Sequence, residues 1–597
     1  MATKRIKVMC TAFRDGFQSV LGARVFMKDY IPAIEAAVKA GIDHFEFGGG
    51  ATFQSSFFYS NENAFENMAR FREIVGPDIN LQTLARGVNV VGLESQPSEI
   101  INLHAKLFKK YGTTTIRNFD ALNDVDNLDY SGRCIVDNGL KHEICVTVMD
   151  LPPGCEGAHD VSFYEATLRR IVESGIPYNS VCFKDASGTA NPGKVHETIK
   201  IARKLLPPEV EIRFHTHETA GTSVAAYMAA IEAGVDGIDL SLSPLSGGTS
   251  SPDILTMMHA LKGSDYDLGF DMDAILETEE IFTECMKDYF FPPEALAVSS
   301  VIPFSPMPGG ALTANTQMMR DNDMLDKYPK VIKAMSEVVC RGGFGTSVTP
   351  VSQFYFQQAF NNVMFGPWEK FAEGYGKMIL GYFGKTPVPP DPELVKLASE
   401  KLGLEPTDRK VVDINDNDKS KGVEPAKAQL KENGLDISEE NIFIVATCKD
   451  KGIEFLKGNG KIGVRKMVKA QEKKTSSSDT FLVTINGKRY PVICKDNCIT
   501  VDGKKFDVCV AEGVEDSTQK VAEPTADALE IKTPFPGTIV KVLRESGKRV
   551  VKNEVIMIIE AMKMETEVKA PRNGLLISVN VKPGDSVVGD QVLALLG

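Results

Sequence analysis

Eight short apolar runs recur through residues 1–265 with helical stretches between them, and this alternation constrains the fold more than any other feature of the chain. The runs are Ile6–Phe13, His44–Phe47, Ile79–Ala85, Thr114–Phe119, Glu143–Met149, Ser180–Phe183, Val210–Phe214 and Gly237–Leu242. Strands separated by helices pair in parallel, because each crossover returns the chain in the same direction. Eight such units in about 260 residues predict an α/β fold closed into a (β/α)8 TIM barrel, with its chemistry at the C-terminal ends of the strands.

Those strand ends carry residues that packing alone does not ask for. Arg14-Asp15 follows the first run, Gly48-Gly49-Gly50 the second and Arg86 the third, while Asn118 and Asp120 sit at the fourth. Lys184-Asp185 closes the sixth and His215-Thr216-His217 the seventh. Residues i and i+2 of a strand share a face. At a barrel mouth that face looks inward, so His215 and His217 can reach one ion, and Asp15 can reach it across the pore. The pattern predicts a divalent metal that polarises a substrate carbonyl and stabilises an enolate.

A second feature lies near the C-terminus. Residues 530–560 align without a gap on 567–597, matching Lys532-Thr533-Pro534 to Lys569-Ala570-Pro571, Gly537 to Gly574, Gly547 to Gly584 and Val551 to Val588. Two halves rich in β-branched residues and broken by glycine turns can pair about a local twofold axis and close one core. Their connection is Glu560-Ala561-Met562-Lys563-Met564-Glu565-Thr566, predicted to be a hairpin tip that carries Lys563.

At 597 residues the chain exceeds one core. Residues 266–405 read as a helical extension, with apolar residues at three- and four-residue spacing in Ala274–Met286 and Val331–Val339 and a stiff break at Thr386–Pro392. A charged, partly helical connecting region follows at 406–478, then a small β module at 479–511 with Asn486-Gly487 and Asp502-Gly503 turns. Polar residues 512–528 read as a flexible linker, and 529–597 as the duplicated domain. The net charge of -13 argues against nucleic acid and against a polybasic membrane surface. Without an apolar run of about 18 residues or a signal-type N-terminus, the expectation is a cytoplasmic protein with no direct membrane insertion. The 11 cysteines read as reduced thiols rather than a disulfide framework. Cys494 and Cys498 lack the second pair or histidine that a zinc knuckle needs.

Ala561-Met562-Lys563-Met564, set between duplicated halves, resembles the biotinyl domain of biotin-dependent enzymes, and methionine on both sides of the lysine favours biotin over lipoate. The resemblance implies a β-sandwich at 529–597 with biotin joined covalently to Lys563 by a biotin protein ligase. Two families use an aspartate with His-x-His on a barrel. One is the aldolase-type group of 2-isopropylmalate synthases and hydroxymethylglutaryl-CoA lyases, and the other comprises the carboxyltransferase domains of pyruvate carboxylase, transcarboxylase and oxaloacetate decarboxylase. Lys184, in Phe183-Lys184-Asp185-Ala186-Ser187-Gly188, stands where the second family carries a carbamylated lysine. Arg14-Asp15-Gly16-Phe17-Gln18-Ser19, Gly49-Gly50-Ala51-Thr52-Phe53 and Ser246-Gly247-Gly248-Thr249-Ser250 extend the likeness. The chain thus resembles the biotin-dependent carboxyltransferase family over nearly its whole length, a family that includes the B subunit of pyruvate carboxylase and the alpha subunit of oxaloacetate decarboxylase.

What the resemblance implies is specific. Asp15, Lys184, His215 and His217 are expected to bind the ion, zinc first, with manganese or cobalt as alternatives. Arg14, Gln18 and Arg86 resemble substrate contacts, Lys184, Arg86 and Gln18 are expected to serve catalysis, and 266–405 is expected to complete the active-site funnel. Thr313, in Met307-Pro308-Gly309-Gly310-Ala311-Leu312-Thr313, falls where the family moves a proton to or from biotin, and Val348–Gln353 is a further match. The expected reaction moves a carboxyl group between carboxybiotin and pyruvate or oxaloacetate in a two-subunit pyruvate carboxylase. No Gly-x-x-x-x-Gly-Lys-Ser/Thr loop is present, so an ATP-dependent biotin carboxylase would be a separate chain; a homo-oligomer is expected. The alternatives are the α subunit of a sodium-pumping oxaloacetate decarboxylase with membrane partners, a 2-oxoglutarate carboxylase, or, in another class, a metal-dependent aldol-type enzyme. Phe17 replaces a usual histidine, Gly48 a usual tryptophan, and Asn61–Glu66 lacks a usual Pro-Trp pair, which bears on the 2-oxo acid.

Overall fold

The computed structural model describes residues 3–467, 480–485, 488–495, 498–501, 504–507, 528–533, 536–561, 564–589 and 591–597. They fall into two compact units, 1–465 and 466–597.

In the first unit eight parallel strands close a barrel: β1 (Lys7–Cys10), β2 (His44–Gly49), β3 (Asn80–Ala85), β4 (Thr115–Phe119), β5 (Lys141–Thr147), β6 (Ser180–Asp185), β7 (Glu211–Thr216) and β8 (Gly237–Leu240). Their spatial order follows the sequence, and β8 returns beside β1 with Lys7 opposite Gly237 and Cys10 opposite Leu240. The eight-unit barrel expected from the sequence is therefore present. The first strand is shorter than its apolar run because Ala12–Gly16 wind into a π-helical turn, which swings Arg14 and Asp15 over the mouth.

Side chains alternate across the barrel wall, as strand geometry requires. Ile212 and Phe214 of β7 join the apolar layer beneath the outer helices, while Arg213 and His215 are buried apart from it. Glu46, Gln82, Arg117, Glu143 and Asp239, one on each of five other strands, are likewise at most 1% exposed. Such charges persist in an interior only when paired. Arg117 Nε lies 2.5 Å from Glu143 Oε1, and Arg213 Nη1 2.6 Å from Glu211 Oε1.

The extension builds over the mouth. Thr346 donates its N–H to the Ala121 carbonyl at 2.7 Å and its hydroxyl meets that of Thr147 at 2.9 Å. Helices Val411–Asp416, Val423–Glu432 and Glu439–Leu456 lie in the segment read as a charged connecting region. They pack on the barrel's flank, with the Phe443 ring 5.5 Å from Phe53 and 6.1 Å from Phe65. Burying one such ring stabilises by about 1.5–3 kcal/mol. One expectation is corrected. Cys155 and Cys340 form a disulfide across 6.3 Å between Cα atoms, so the cysteines are not all reduced thiols; the two are 185 residues apart in sequence, and only the fold brings them within bonding reach. Among the described residues, no helix is long and apolar enough to cross a membrane.

The second unit holds two structures. Strands β9 (Thr480–Ile485), β10 (Lys488–Lys495), β11 (Cys498–Val501) and β12 (Lys504–Asp507) make an antiparallel meander. The duplicated domain follows with β13 (Leu529–Lys532), β14 (Gly537–Val542), β15 (Arg549–Val550), β16 (Val555–Ala561), β17 (Met564–Lys569), β18 (Gly574–Val579), β19 (Ser586–Val587) and β20 (Val592–Leu596). Its sheets run β13-β20-β18-β15 and β17-β16-β14-β19. Exchanging each strand for its counterpart in the other half turns one order into the other, which is the predicted twofold. Gly547 and Gly584 occupy matching turns with φ of 83° and 93°, a region that favours glycine. β16 and β17 pair down to Ala561 opposite Met564. Lys563 lies outside the described residues, as does most of the 512–528 segment.

Candidate functional site

The π-turn after β1 delivers Asp15, and the end of β7 delivers His215 and His217. His217 Nε2 lies 2.9 Å from Asp15 Oδ2 and 2.9 Å from His215 Nε2, and His215 Nε2 lies 3.2 Å from Asp15 Oδ2. All three residues are buried. Tetrahedral ligands at about 2.1 Å from an ion stand roughly 3.4 Å apart, so this triangle is close to one face of a zinc site without rearrangement. Burial pushes the Asp15 carboxyl up, but Arg14, Lys184 and His217 together hold it well below the usual carboxylate range. Burial lowers His217, with Asp15 opposing. A carboxylate and neutral imidazoles are the protonation states that ligate a metal.

Lys184, near the end of β6, is buried with its Nζ 3.8 Å from Asp15 Oδ2 and has no hydrogen-bond partner. A buried amine left in this state is unfavourable. The fit is better for a group that extends Lys184 toward the three ligands and accepts hydrogen bonds or a cation, as a carbamate does.

A cavity of about 30 Å3 adjoins these residues, bordered by Arg14, Gln18, Arg86, Lys184, His217 and Gly310 among others. Arg14 is already engaged: Nη2 lies 2.6 Å from Glu46 Oε1, and Nη1 lies 3.1 Å from Gln18 Oε1 and 3.3 Å from Asp15 Oδ1. It organises Gln18 and Asp15. Arg86 Nη1 donates to the carbonyls of Val91 and Gly92 at 2.8 and 2.9 Å, and no carboxylate among the described residues pairs with it. Burial, with Arg14 nearby, lowers Arg86 to about 9, so it remains a cation at neutral pH and suits an incoming anion. A Cβ on Gly50 would lie 3.6 Å from Arg86 Nη2 and 3.8 Å from Arg14 Nη1; its absence keeps open the space between the guanidiniums. Gly48 instead faces Met68 and Thr83, away from the cavity.

Helix Gly309–Asp321 begins against His217. A Cβ on Gly309 would overlap the Thr249 carbonyl at 1.7 Å and approach His217 Nδ1 to 2.9 Å, which explains the glycine. Thr313, one turn on, is fully buried and does not border the cavity. Its hydroxyl donates to the Ser19 carbonyl at 2.5 Å, with the Thr249 hydroxyl 3.5 Å away. Asn118 and Asp120 serve the loops: Asn118 Oδ1 accepts from Gly87 N–H at 3.0 Å, and Asp120 accepts from the N–H groups of Leu122 and Asp124.

The sequence reading passed over Glu46, Arg117 and Asp239, which surround the site from below. A signal was present. Strands buried on both faces normally read as continuous apolar runs, yet these charges stand inside such runs, as in Thr115-Ile116-Arg117-Asn118-Phe119 and Gly237-Ile238-Asp239-Leu240.

A barrel with metal-competent strand ends and a separate duplicated β domain describes an enzyme that works with a carried cofactor. The chain matches an HMGL-like family model over residues 144–282, a conserved carboxylase domain over 302–494 and a biotin-requiring enzyme domain over 529–596. It is 28% identical to the B subunit of pyruvate carboxylase from Methanocaldococcus jannaschii over 94% of both chains. It is 29% identical to the 2-oxoglutarate carboxylase large subunit of Hydrogenobacter thermophilus, over 95% of this chain and 91% of that one. The carboxyl transferase domain of Rhizobium etli pyruvate carboxylase, solved with pyruvate and biocytin, superposes with a TM-score of 0.69 at 23% identity, covering 86% of this chain and 89% of that one. The chain spans 54% of the single-chain pyruvate carboxylase of Bacillus subtilis. Together these matches make the chain similar, over most of its length, to the biotin-dependent carboxyltransferases.

Proposed function

We propose that the chain supplies the carboxyltransferase centre and the biotin of a two-subunit pyruvate carboxylase, exchanging a carboxyl group between biotin on Lys563 and pyruvate. The observation that carries this reading is the convergence of Asp15, His215 and His217 beside the buried Lys184 amine, which neighbours Asp15 but has no hydrogen-bond partner, in a chain that also has a biotin-requiring domain. The Methanocaldococcus jannaschii relative, matched over 94% of both chains, supports it. An ATP-dependent biotin carboxylase would be a separate chain, a biotin protein ligase would modify Lys563, and the chain would act as a homo-oligomer.

The residues divide the work. A divalent ion held there, zinc first, would supply Lewis-acid polarisation of a substrate carbonyl. Asp15, His215, His217 and carbamylated Lys184 would hold it. Arg86 turns its remaining donors to the substrate carboxylate. Gln18, whose Oε1 is held by Arg14, keeps Nε2 to donate to a substrate oxygen. Thr313 serves proton transfer only after its hydroxyl leaves the Ser19 carbonyl and turns toward the cavity.

Purified protein is expected to hold one ion per chain by elemental analysis, and His215→Ala or His217→Ala to reduce that to background. Unchanged metal content in both variants would remove the centre.

The biotinylated chain alone, without ATP or a partner, is expected to exchange isotope between labelled pyruvate and oxaloacetate. The Hydrogenobacter thermophilus relative favours a second reading, transfer to 2-oxoglutarate. Exchange with 2-oxoglutarate and its carboxylated product, but none with pyruvate, would select that reading; exchange with neither would reject both.

A further inference from the structure

We propose that Asp239 is the positioning residue of the metal centre: clamped by Arg117, its carboxylate holds His215 as the Nδ1–H tautomer and leaves Nε2 free to face the ion. The inference rests on the metal-centre reading above and concerns a residue that touches neither ion nor substrate.

The geometry is a continuous chain of hydrogen bonds through the barrel interior. Asp239 Oδ2 accepts from His215 Nδ1 at 2.9 Å, and the same oxygen accepts from Arg117 Nη1. Asp239 Oδ1 faces Arg213 Nη2 at 3.4 Å. Arg117 Nε donates to Glu143 Oε1 at 2.5 Å, and Gln82 Nε2 donates to that oxygen at 2.9 Å. Gln82 Oε1 in turn meets His44 Nε2 at 3.0 Å. Asp239 and His215 are both 0% exposed, so neither is in contact with bulk water.

Asp239 pairs with Arg117 and Arg213 within a network that also holds Glu143, Glu211 and Lys7. The oxygen that meets Arg117 also meets the His215 imidazole, so the carboxylate acts on the ring as well as on the charges. A carboxylate only accepts hydrogen bonds, so it admits one tautomer of the ring it touches. With the proton fixed on Nδ1, the Nε2 lone pair is directed at Asp15 Oδ2 and His217 Nε2, 3.2 and 2.9 Å away. Outer partners of this kind set ring orientation and ligand basicity at metal centres. His217 contrasts with it, since its Nδ1 has no partner; the ring is placed by its contacts alone.

The test uses the full-length protein and Asp239→Ala, which removes the acceptor oxygen that Arg117 and His215 share; an asparagine could keep its amide oxygen in that place. Without the acceptor the proton is no longer fixed on Nδ1 and can occupy Nε2, where it blocks ligation. Zinc affinity, measured by competition with a chelator, is expected to fall about 10- to 100-fold in a variant that still folds. Unchanged affinity in folded Asp239→Ala would overturn the proposal. A second measurement does not depend on the variant: NMR of apo wild-type protein with 15N-labelled histidine should show the His215 proton on Nδ1, and finding it on Nε2 would equally overturn the proposal. If wild-type protein binds no zinc, the metal-centre reading fails, and the tautomer measurement still decides the role of Asp239.

Discussion

Lys563→Arg is expected to abolish carboxyl transfer while leaving the ion in place. Arginine keeps the positive charge and much of the length, but its guanidinium does not form the amide that joins biotin to lysine. Mass spectrometry should find biotin on Lys563 of the wild-type protein made with an active ligase, and none on the variant. Isotope exchange should fall to background with metal content unchanged. Free biotin should recover only a small part of the activity, because a tether of this kind provides an effective concentration in the millimolar range. The experiment also separates reaction classes. A metal-dependent aldol enzyme would ignore the substitution, and full activity in unbiotinylated protein would place the chain in that class.

Lys184→Ala is expected to be nearly as severe with biotin on Lys563 intact. Asp15, His215 and His217 provide three ligands, and zinc prefers four. The Lys184 amine cannot ligate while protonated, but a carbamate formed with CO2 is an anion of the right reach. Losing a ligand that supports several kcal/mol of charge stabilisation lowers the rate roughly 10²- to 10⁴-fold. In wild-type protein prepared with 13C-bicarbonate, a carbamate resonance should appear that Lys184→Ala lacks. Wild-type activity in Lys184→Ala would make the residue a simple ionic neighbour of Asp15, which it approaches to 3.8 Å.

The parts of this protein legible in sequence were those governed by short-range periodicity. Strand and helix alternation is local, so all eight barrel strands could be read, and the two-residue spacing of His215 and His217 fixed a common face. The features that escaped depend on long-range packing. Phe443 stands in a short apolar run, Ile442-Phe443-Ile444-Val445-Ala446, inside a segment otherwise rich in charge, and only the folded flank shows that it meets Phe53 and Phe65. Asp239 is a lone charge in an apolar strand, and its role shows only where Arg117 and His215 both meet one of its oxygens. Asp15 was found because it follows its strand, but the π-turn that carries it left no mark in the pattern of apolar residues. Thr313 was placed by resemblance, and its bond to Ser19 depends on how helix Gly309–Asp321 docks.

The interleaving of the duplicated domain bears on its history. Each of its two sheets draws strands from both halves: β13 pairs with β20, and β14 with β19. A single half, on its own, would leave the edges of its strands unpaired and Ile539, Ile559 or Leu576, Leu593 in water, although all four are buried in the whole domain. A chain of half the length would reach this arrangement only by pairing with a copy of itself, which is the geometry that duplication and fusion of a homodimer would leave. Lys563 falls at the seam, in the short stretch that joined one copy to the next.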